Sequence, residues 1–427
     1  MGECRSVKQT DGAMKKIRLY CLLTGYFNFK KNDGGTVSLL TLLERLNNDG
    51  FDCELLCLTD IAYFEEHFGP ENRFSHINVV AKDKKMATGY LLNYSFPLTF
   101  YACPINMRNA YAKRDIRLFD KLVKHWQKIL STKSMAATLT TQEDVFSMYG
   151  CQKYSPFRLH RISSDVFFKD DFAYHDKLKE IAPQFQVIAN GQFLARMLTE
   201  RYRQKAFVLP PLFAAGQRLP ANKDISEKYI TLITGKPHKG LVIFLNIARN
   251  LSEKKFLVRG NPNMIRPYLE RHQILNVQID ERYDDIDTTY AETAILLVPS
   301  LWEEPFGRVI VEAMSFGIPV IANDVGGIKE AMNGGGFLID VNETYKNRVD
   351  YYFNVRYHLS VIDRYIKTIC LLDNLEVYEK ESQISLATAA ATEKKGSDYY
   401  DEFSAWLKRA AAGSKSAAKR GSTQKQN

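Results

Sequence analysis

What this 427-residue chain lacks narrows its class before any motif is read. Its seven cysteines (Cys4, Cys21, Cys53, Cys57, Cys103, Cys151 and Cys370) are scattered and odd in number, with no Cys-x-x-Cys pair. They read as reduced thiols, which excludes a disulfide scaffold and a cysteine–zinc framework and fits a cytoplasmic setting. The eight histidines show no metal-ligand spacing, so no catalytic metal is expected. Long apolar runs are also missing. The most apolar stretch, Gly89–Ile105, is interrupted by Asn93, Pro97 and Pro104 and is too short to cross a bilayer. Residues 1–16 form a polar extension without the apolar centre of a secretory leader.

What is present fits a large globular enzyme. Hydrophobic residues make up 45% and charged residues 25%, and the length allows two or three domains. The net charge of +9 sits mostly at the ends: residues 408–427 contribute +6 and residues 1–16 contribute +2, leaving +1 for the body. Residues 410–427, rich in Ala, Ser, Gly and Lys, read as a disordered basic tail. A nucleic-acid partner is an alternative use of that tail, but the near-neutral body argues against it as the main function.

The most informative block runs from Pro299 to Glu330. Ile295–Val298 reads as a buried strand, Gly307–Phe316 has helical spacing, and Val320–Ala322 reads as the next strand. Strand, loop, helix and strand form half of a doubly wound unit, whose ligands sit at the carboxyl ends of the strands. Pro305-Phe306-Gly307 opens the helix, so its free N–H groups and positive dipole end suit a diphosphate. Glu304 and Glu312 bracket that turn on the order of 10 Å apart at helical rise. Each carboxylate accepts two hydroxyl hydrogen bonds, which matches vicinal diols on a sugar or a ribose.

This block resembles the Glu-x7-Glu motif of the family-4 retaining glycosyltransferases. The resemblance implies an α/β fold of two Rossmann-like, doubly wound domains facing a central cleft, the GT-B architecture. It also implies transfer of a sugar from a nucleotide-diphosphate sugar to an acceptor hydroxyl with retention, in cell-surface polysaccharide, lipopolysaccharide or glycolipid synthesis. Carried over, Glu304 holds the donor sugar, Glu312 holds the ribose, and Phe306, Gly307 and Arg308 meet sugar and phosphate. Lys239, in Lys239-Gly240, matches the lysine that grips the diphosphate. The Arg that often precedes it by six residues is Ile233 here, and Lys236 stands in from within the loop. No cofactor is implied beyond the donor substrate. A sugar-nucleotide 2-epimerase shares the architecture and stays open as an alternative.

The remaining readings concern the first half. Ile17–Thr24 reads as a strand, Val37–Asn47 as a helix and Cys53–Leu58 as a strand, with Gly34 and Gly35 at the first turn. The resemblance assigns that glycine pair to the donor phosphates and implies a sugar contact for His160. A histidine near a strand end is also commonly structural. Gln142 and Glu143 are candidate acceptor contacts. Residues 108–130 read as an amphipathic helix with Arg117, Lys121, Lys124 and Lys128 on one face. That face fits either solvent or a peripheral contact with an anionic membrane or acceptor. The Asp285-Ile286-Asp287 spacing reads as a helix cap, with no metal assigned. The organisation expected is an acceptor domain over 17–211, a linker over 212–226 and a donor domain over 227–375. Helices over 376–409 are expected to cross back onto the first domain, with Tyr399–Leu407 as their apolar face.

Overall fold

The computed structural model describes residues 16–26, 34–68, 77–112, 115–142, 144–164, 174–213, 225–234, 236–282, 286–341 and 359–423. The first domain is built on nine strands: β1 (Ile17–Thr24), β2 (Phe51–Asp60), β3 (Ile77–Lys82), β4 (Met86–Leu91), β5 (Pro97–Cys103), β6 (Ala137–Thr141), β7 (Arg158–Ile162), β8 (Gln186–Ala189) and β9 (Ala206–Val208). They form one sheet in the order β3-β4-β5-β2-β1-β6-β7-β8-β9. β1 lies in parallel between β2 and β6, with Leu19 opposite both Cys53 and Ala137. Strand alternation splits its side chains between two cores. Leu19 and Cys21 join α1 (Gly34–Asn48) on one face, while Tyr20 and Leu22 join the opposite layer. The sheet departs from a purely parallel one at its edge, where β3–β4 and β4–β5 pair antiparallel.

The second domain carries β10 (Tyr229–Ile233), β11 (Phe256–Arg259), β12 (Val277–Asp280), β13 (Thr293–Val298), β14 (Val320–Asn323) and β15 (Phe337–Ile339). Their order is β12-β11-β10-β13-β14-β15, and every pairing is parallel. Both sheets therefore reverse their strand order beside the first strand of the domain, where doubly wound folds open a crevice. The loops that matter leave these points. β1 leads to α1, β10 leads to α8 (Leu241–Asn250), and β13 leads to α11 (Arg308–Ser315), while α2 (Ile61–Phe68), α5 (Val145–Cys151), α6 (His175–Ile181), α9 (Pro262–Arg271) and α10 (Ile286–Ala291) lie between other strands.

The basic segment read as one helix over 108–130 comprises α3 (Met107–Ala112) and α4 (Ile116–Leu130), with Asp115 as the N-cap of α4. Phe119, Leu122, Trp126 and Leu130 of α4 are buried. The last helix runs Leu375–Thr423, so the backbone is helical across most of the tail read as disordered. Tyr400, Phe403 and Leu407 of this helix enter the first domain's core. Arg45 secures the crossing, with its guanidinium 4.1 Å from the Tyr400 ring centroid and 2.6 Å from Ser397 Oγ. Of the linker read over 212–226, residues 214–224 lie outside the described residues. Among the described residues, no helix is long and apolar enough to cross a membrane.

Candidate active site

A cavity of about 470 Å³ opens between the two crevices. Gly34, Gly35, Gln142, Ser163, Ser164 and Asn190 line it from the first domain, and Lys236, Lys239, Ser300, Glu304, Phe306 and Arg308 line it from the second. Sequence-distant residues meet there because each sits at the carboxyl end of a strand or the amino end of the following helix.

The second-domain wall is built by two loops pressed together. After β10 the chain passes Thr234 at φ 68° and a short turn, Pro237–Lys239, then Gly240 at φ 83° begins α8. A Cβ at Gly240 would run into the Pro299 carbonyl, so only glycine allows this approach. Leu301 and Trp302 donate their N–H groups to His238 O at 3.0 and 3.2 Å, joining the loops. This contact brings Lys239 Nζ to Glu304, at 2.5 and 2.6 Å from its two carboxylate oxygens. Ser300 Oγ donates to Glu304 Oε1 at 3.0 Å. Glu304 is 9% exposed, so its charge is held by a cation and a hydroxyl and scarcely by solvent. Its backbone is fixed as well, since Gly327 N donates to Glu304 O at 2.6 Å.

Gly307, at φ 98°, is the N-cap of α11 and has no side chain to satisfy the helix's free N–H groups. Those donors and the positive end of the helix dipole remain available for an anion. Arg308 follows and reaches back along the helix: its Nη2 donates to Glu312 Oε1 at 2.9 Å. Tyr290 OH donates to the other Glu312 oxygen at 2.9 Å. Glu312 is therefore preset between a guanidinium and a buried phenol. It lies beside the residues that line the cavity and is not one of them. Arg308 also donates to Leu212 O at 3.1 Å, and its Cδ lies 3.3 Å from where a Gly34 Cβ would stand. The glycine at the start of α1 thus gives the second domain room to close.

The first-domain wall differs from the sequence reading in one residue above all. His160 lies mid-strand in β7, 0% exposed, and is not part of the cavity lining. Its Nδ1 is 2.9 Å from Thr140 Oγ1, its ring packs edge-on to Phe185, and burial pushes its pKa down to about 3. It is a neutral core histidine, and the chain reaches the cavity only after β7 ends, at Ser163 and Ser164. Gln142 does line the cavity, at φ 59°, with its side-chain amide on Ser163 Oγ. Glu143 lies outside the described residues.

Several residues escaped sequence reading. Asp144 accepts from Thr24 N and Ser147 N at 2.6 and 3.1 Å, and burial raises its pKa to about 6. Arg161 is 2% exposed and donates to Ser38 Oγ on α1; burial, then the nearby charge of Arg308, lowers its pKa to about 10. Thr234 also lines the cavity, and like Gln142, already a sequence candidate, it is held at positive φ, which is costly for a non-glycine residue and tends to mark a functional turn. Nothing in their residue types signals it.

Comparison with known proteins adds a family to this geometry. Residues 228–350 match the family model described as Glycosyl transferases group 1. The second domain is a group 1 glycosyltransferase domain. This group 1 domain holds Lys236, Lys239, Glu304, Arg308 and Glu312. The chain is 29% identical over 133 residues to an uncharacterized 41.2 kDa protein in the cps region of Klebsiella pneumoniae, covering 29% of this chain and 36% of the relative. It is 27% identical over 199 residues to the D-inositol 3-phosphate glycosyltransferase of Nocardia farcinica, covering 38% and 43%. The chain thus spans well under half the length of these curated relatives. Whole-chain likeness comes from solved structures. A sucrose-phosphate synthase from Thermosynechococcus elongatus aligns over 91% of this chain and all of its own, with a TM-score of 0.63 at 14% identity. Anabaena HepE in complex with UDP and glucose aligns over 92% and 100%, with a TM-score of 0.61 at 16% identity. These likenesses show the GT-B fold.

Proposed function

We propose that the chain is a retaining, metal-independent glycosyltransferase of family 4, moving a sugar from a nucleotide-diphosphate sugar to an acceptor hydroxyl. The observation that carries this reading is the Lys239–Glu304 pair, held between two helix N-termini on the wall opposite Gly34 and Gly35. A donor diphosphate in that space would meet Lys239, Lys236 and the free amides at the start of α11, with the α1 amides across the cleft. Freed from part of its lysine contact, Glu304 would turn its acceptor oxygens to the sugar's hydroxyls. Glu312, preset by Arg308 and Tyr290, is positioned to receive the ribose diol.

In this mechanism the chemistry is leaving-group stabilisation. Lysine charge and helix amides neutralise the departing diphosphate while an oxocarbenium-like centre forms beside it. A phosphate oxygen then takes the proton of the acceptor hydroxyl attacking from the same face. Closure of the two domains excludes water and limits hydrolysis. The Klebsiella relative is described by its place in a cps region, which supports an acceptor in surface polysaccharide synthesis, a step we place at the cytoplasmic face. The basic face of α4 would then rest against anionic lipid.

The test is a thermal-shift and hydrolysis screen against UDP-, GDP- and dTDP-sugars. At least one should raise the melting temperature and release its nucleotide, and Glu312→Ala should weaken that binding about tenfold. Binding of none of them, or unchanged affinity in the Glu312 variant, would contradict the reading.

A further inference from the structure

The two domains also meet away from the lysine–carboxylate pair, at a helix end. α7 (Gln192–Tyr202) starts in the first domain directly after Asn190 and Gly191. Its N-cap residue is Gly191, so it has no capping side chain of its own, and such an end leaves backbone N–H groups without partners. The missing acceptor comes from the other domain. Glu330, on α12 (Ile328–Met332), places Oε2 2.7 Å from Gln192 N, and the Phe193 N–H also favours its charged form. The helix dipole adds to the attraction for this carboxylate.

Gly191 makes the contact sterically possible. Its φ of −178° is ordinary extended backbone, so conformation does not require glycine here. Space does. A Cβ at residue 191 would stand 2.8 Å from Glu330 Oε2 and 3.3 Å from the Pro305 carbonyl. The step Asn190-Gly191-Gln192 is therefore clamped between Glu330 and the loop that carries Glu304. Asn190 lines the cavity, is 6% exposed, and has an Oδ1 atom without a hydrogen-bond partner. Buried amide oxygens are rarely left so, and one on a cavity-lining residue has a ligand hydroxyl within reach of a small side-chain rotation.

We infer that Glu330 is a positioning residue acting across the domain boundary: by capping α7 it seats Asn190 in the closed cleft, where the Asn190 amide receives a substrate hydroxyl. Its role in catalysis rests on the glycosyltransferase reading, whereas the capping contact does not. Burial raises the Glu330 pKa above the ordinary carboxylate value, and the Gln192 and Phe193 N–H groups, Lys395 on the last helix and Arg196 on α7 offset part of that rise by favouring the carboxylate.

Two measurements separate these parts. Hydrogen exchange on the full-length, ligand-free chain reads the cap directly. Glu330→Gln and Glu330→Ala should speed exchange at Gln192 and Phe193 about fivefold, the loss expected for one N-cap, and leave the core of β8 unchanged. Gly191→Ala should do the same by displacing the carboxylate, and the double variant Gly191→Ala/Glu330→Ala should be no worse than either single change. Unchanged exchange, or additive effects in the double variant, would overturn the cap. Donor turnover then reads the seating of Asn190. Glu330→Gln and Asn190→Ala should lower kcat/KM by similar factors and together lower it no further. A faster-exchanging Glu330→Gln variant with unaltered kcat/KM would overturn the positioning role while leaving the glycosyltransferase reading intact. No turnover in the unaltered chain would instead count against that reading.

Discussion

The two walls of the cleft are finished to different degrees. On the second-domain side, four charged groups form two pairs before any ligand arrives: Lys239 with Glu304, and Arg308 with Glu312. On the first-domain side, ionisable groups are buried and hydrogen-bonded to neutral groups. His160 is neutral, Asp144 is held by N–H groups, and Arg161 is bonded to a serine. One wall offers charges in exchange for those of a ligand. The other is a rigid polar surface whose shape is set from behind. A wall of the first kind suits a ligand with a fixed, highly charged portion. The second kind suits a partner recognised by hydroxyls and shape, which differs between enzymes with the same donor.

The largest break in this contrast should come at Lys239. Replacing it with alanine removes the cation facing the diphosphate and leaves Glu304, 9% exposed, with Ser300 as its remaining side-chain partner. Donor turnover should fall by roughly 10²–10³, the scale for losing one preorganised donor to a developing anion. Steady-state kinetics on whichever nucleotide sugar the screen selects will show it. A loss under threefold would mean the lysine is only a counterion to Glu304.

The next test concerns the first-domain wall and needs no substrate. Burial lowers His160 from 6.5 to about 3, so its stabilising contribution is full above pH 6.5 and is lost as pH falls toward 3. Burial raises Asp144 from 3.8 to about 6, so its contribution is full below pH 3.8 and is lost as pH rises toward 6. Between about pH 4 and 6 the two slopes oppose and nearly cancel. His160→Gln should uncover the Asp144 slope, with unfolding free energy falling as pH rises by up to about 1.4 kcal/mol per unit. Asp144→Asn should uncover the reverse slope. Urea unfolding at half-unit pH steps measures both. Parallel profiles in the wild type and both variants would show that neither group is as desolvated as its burial implies. A structural His160 should also leave donor affinity within about twofold, which a sugar-contacting histidine would not.

Sequence legibility follows the same divide. The strand–loop–helix–strand block around Glu304 was readable because a parallel unit buried on both faces writes itself as short apolar runs with glycine and proline at fixed steps. Lys239-Gly240 was readable for a related reason: a lysine ahead of a helix start is a local pattern. His160 was misplaced because the ends of β7 are not marked in its sequence. Arg158-Leu159-His160-Arg161-Ile162 gives polar and apolar residues in an order that burial does not follow, and a buried histidine and arginine read as a strand's exposed end. The antiparallel edge β3–β4–β5 was missed although its pairings are local, because the connections Asp83-Lys84-Lys85 and Leu92–Phe96 carry no glycine to mark a hairpin turn. Glu330 stood in plain sight as a helical glutamate. Its partner is 138 residues away, and only the folded arrangement shows that it caps a helix in the other domain.

The smallest expected effect lies outside the cleft, on α4. Its buried stripe of Phe119, Leu122, Trp126 and Leu130 accounts for the helix being folded, and Trp126 Nε1 donates to Thr24 Oγ1 at 2.8 Å to fix it on β1. Lys121 and Lys124 on the opposite stripe add nothing to that packing. Changing both to glutamine should therefore shift the unfolding free energy by no more than about 0.5 kcal/mol. Sedimentation with vesicles containing anionic lipid distinguishes the two readings of this face. A membrane contact predicts weaker binding by roughly 1 kcal/mol per lysine removed, and more at low salt than at high. Equal sedimentation of both proteins would leave α4 as a solvated helix whose charges serve solubility, and the first-domain wall would then owe its function to the cleft alone.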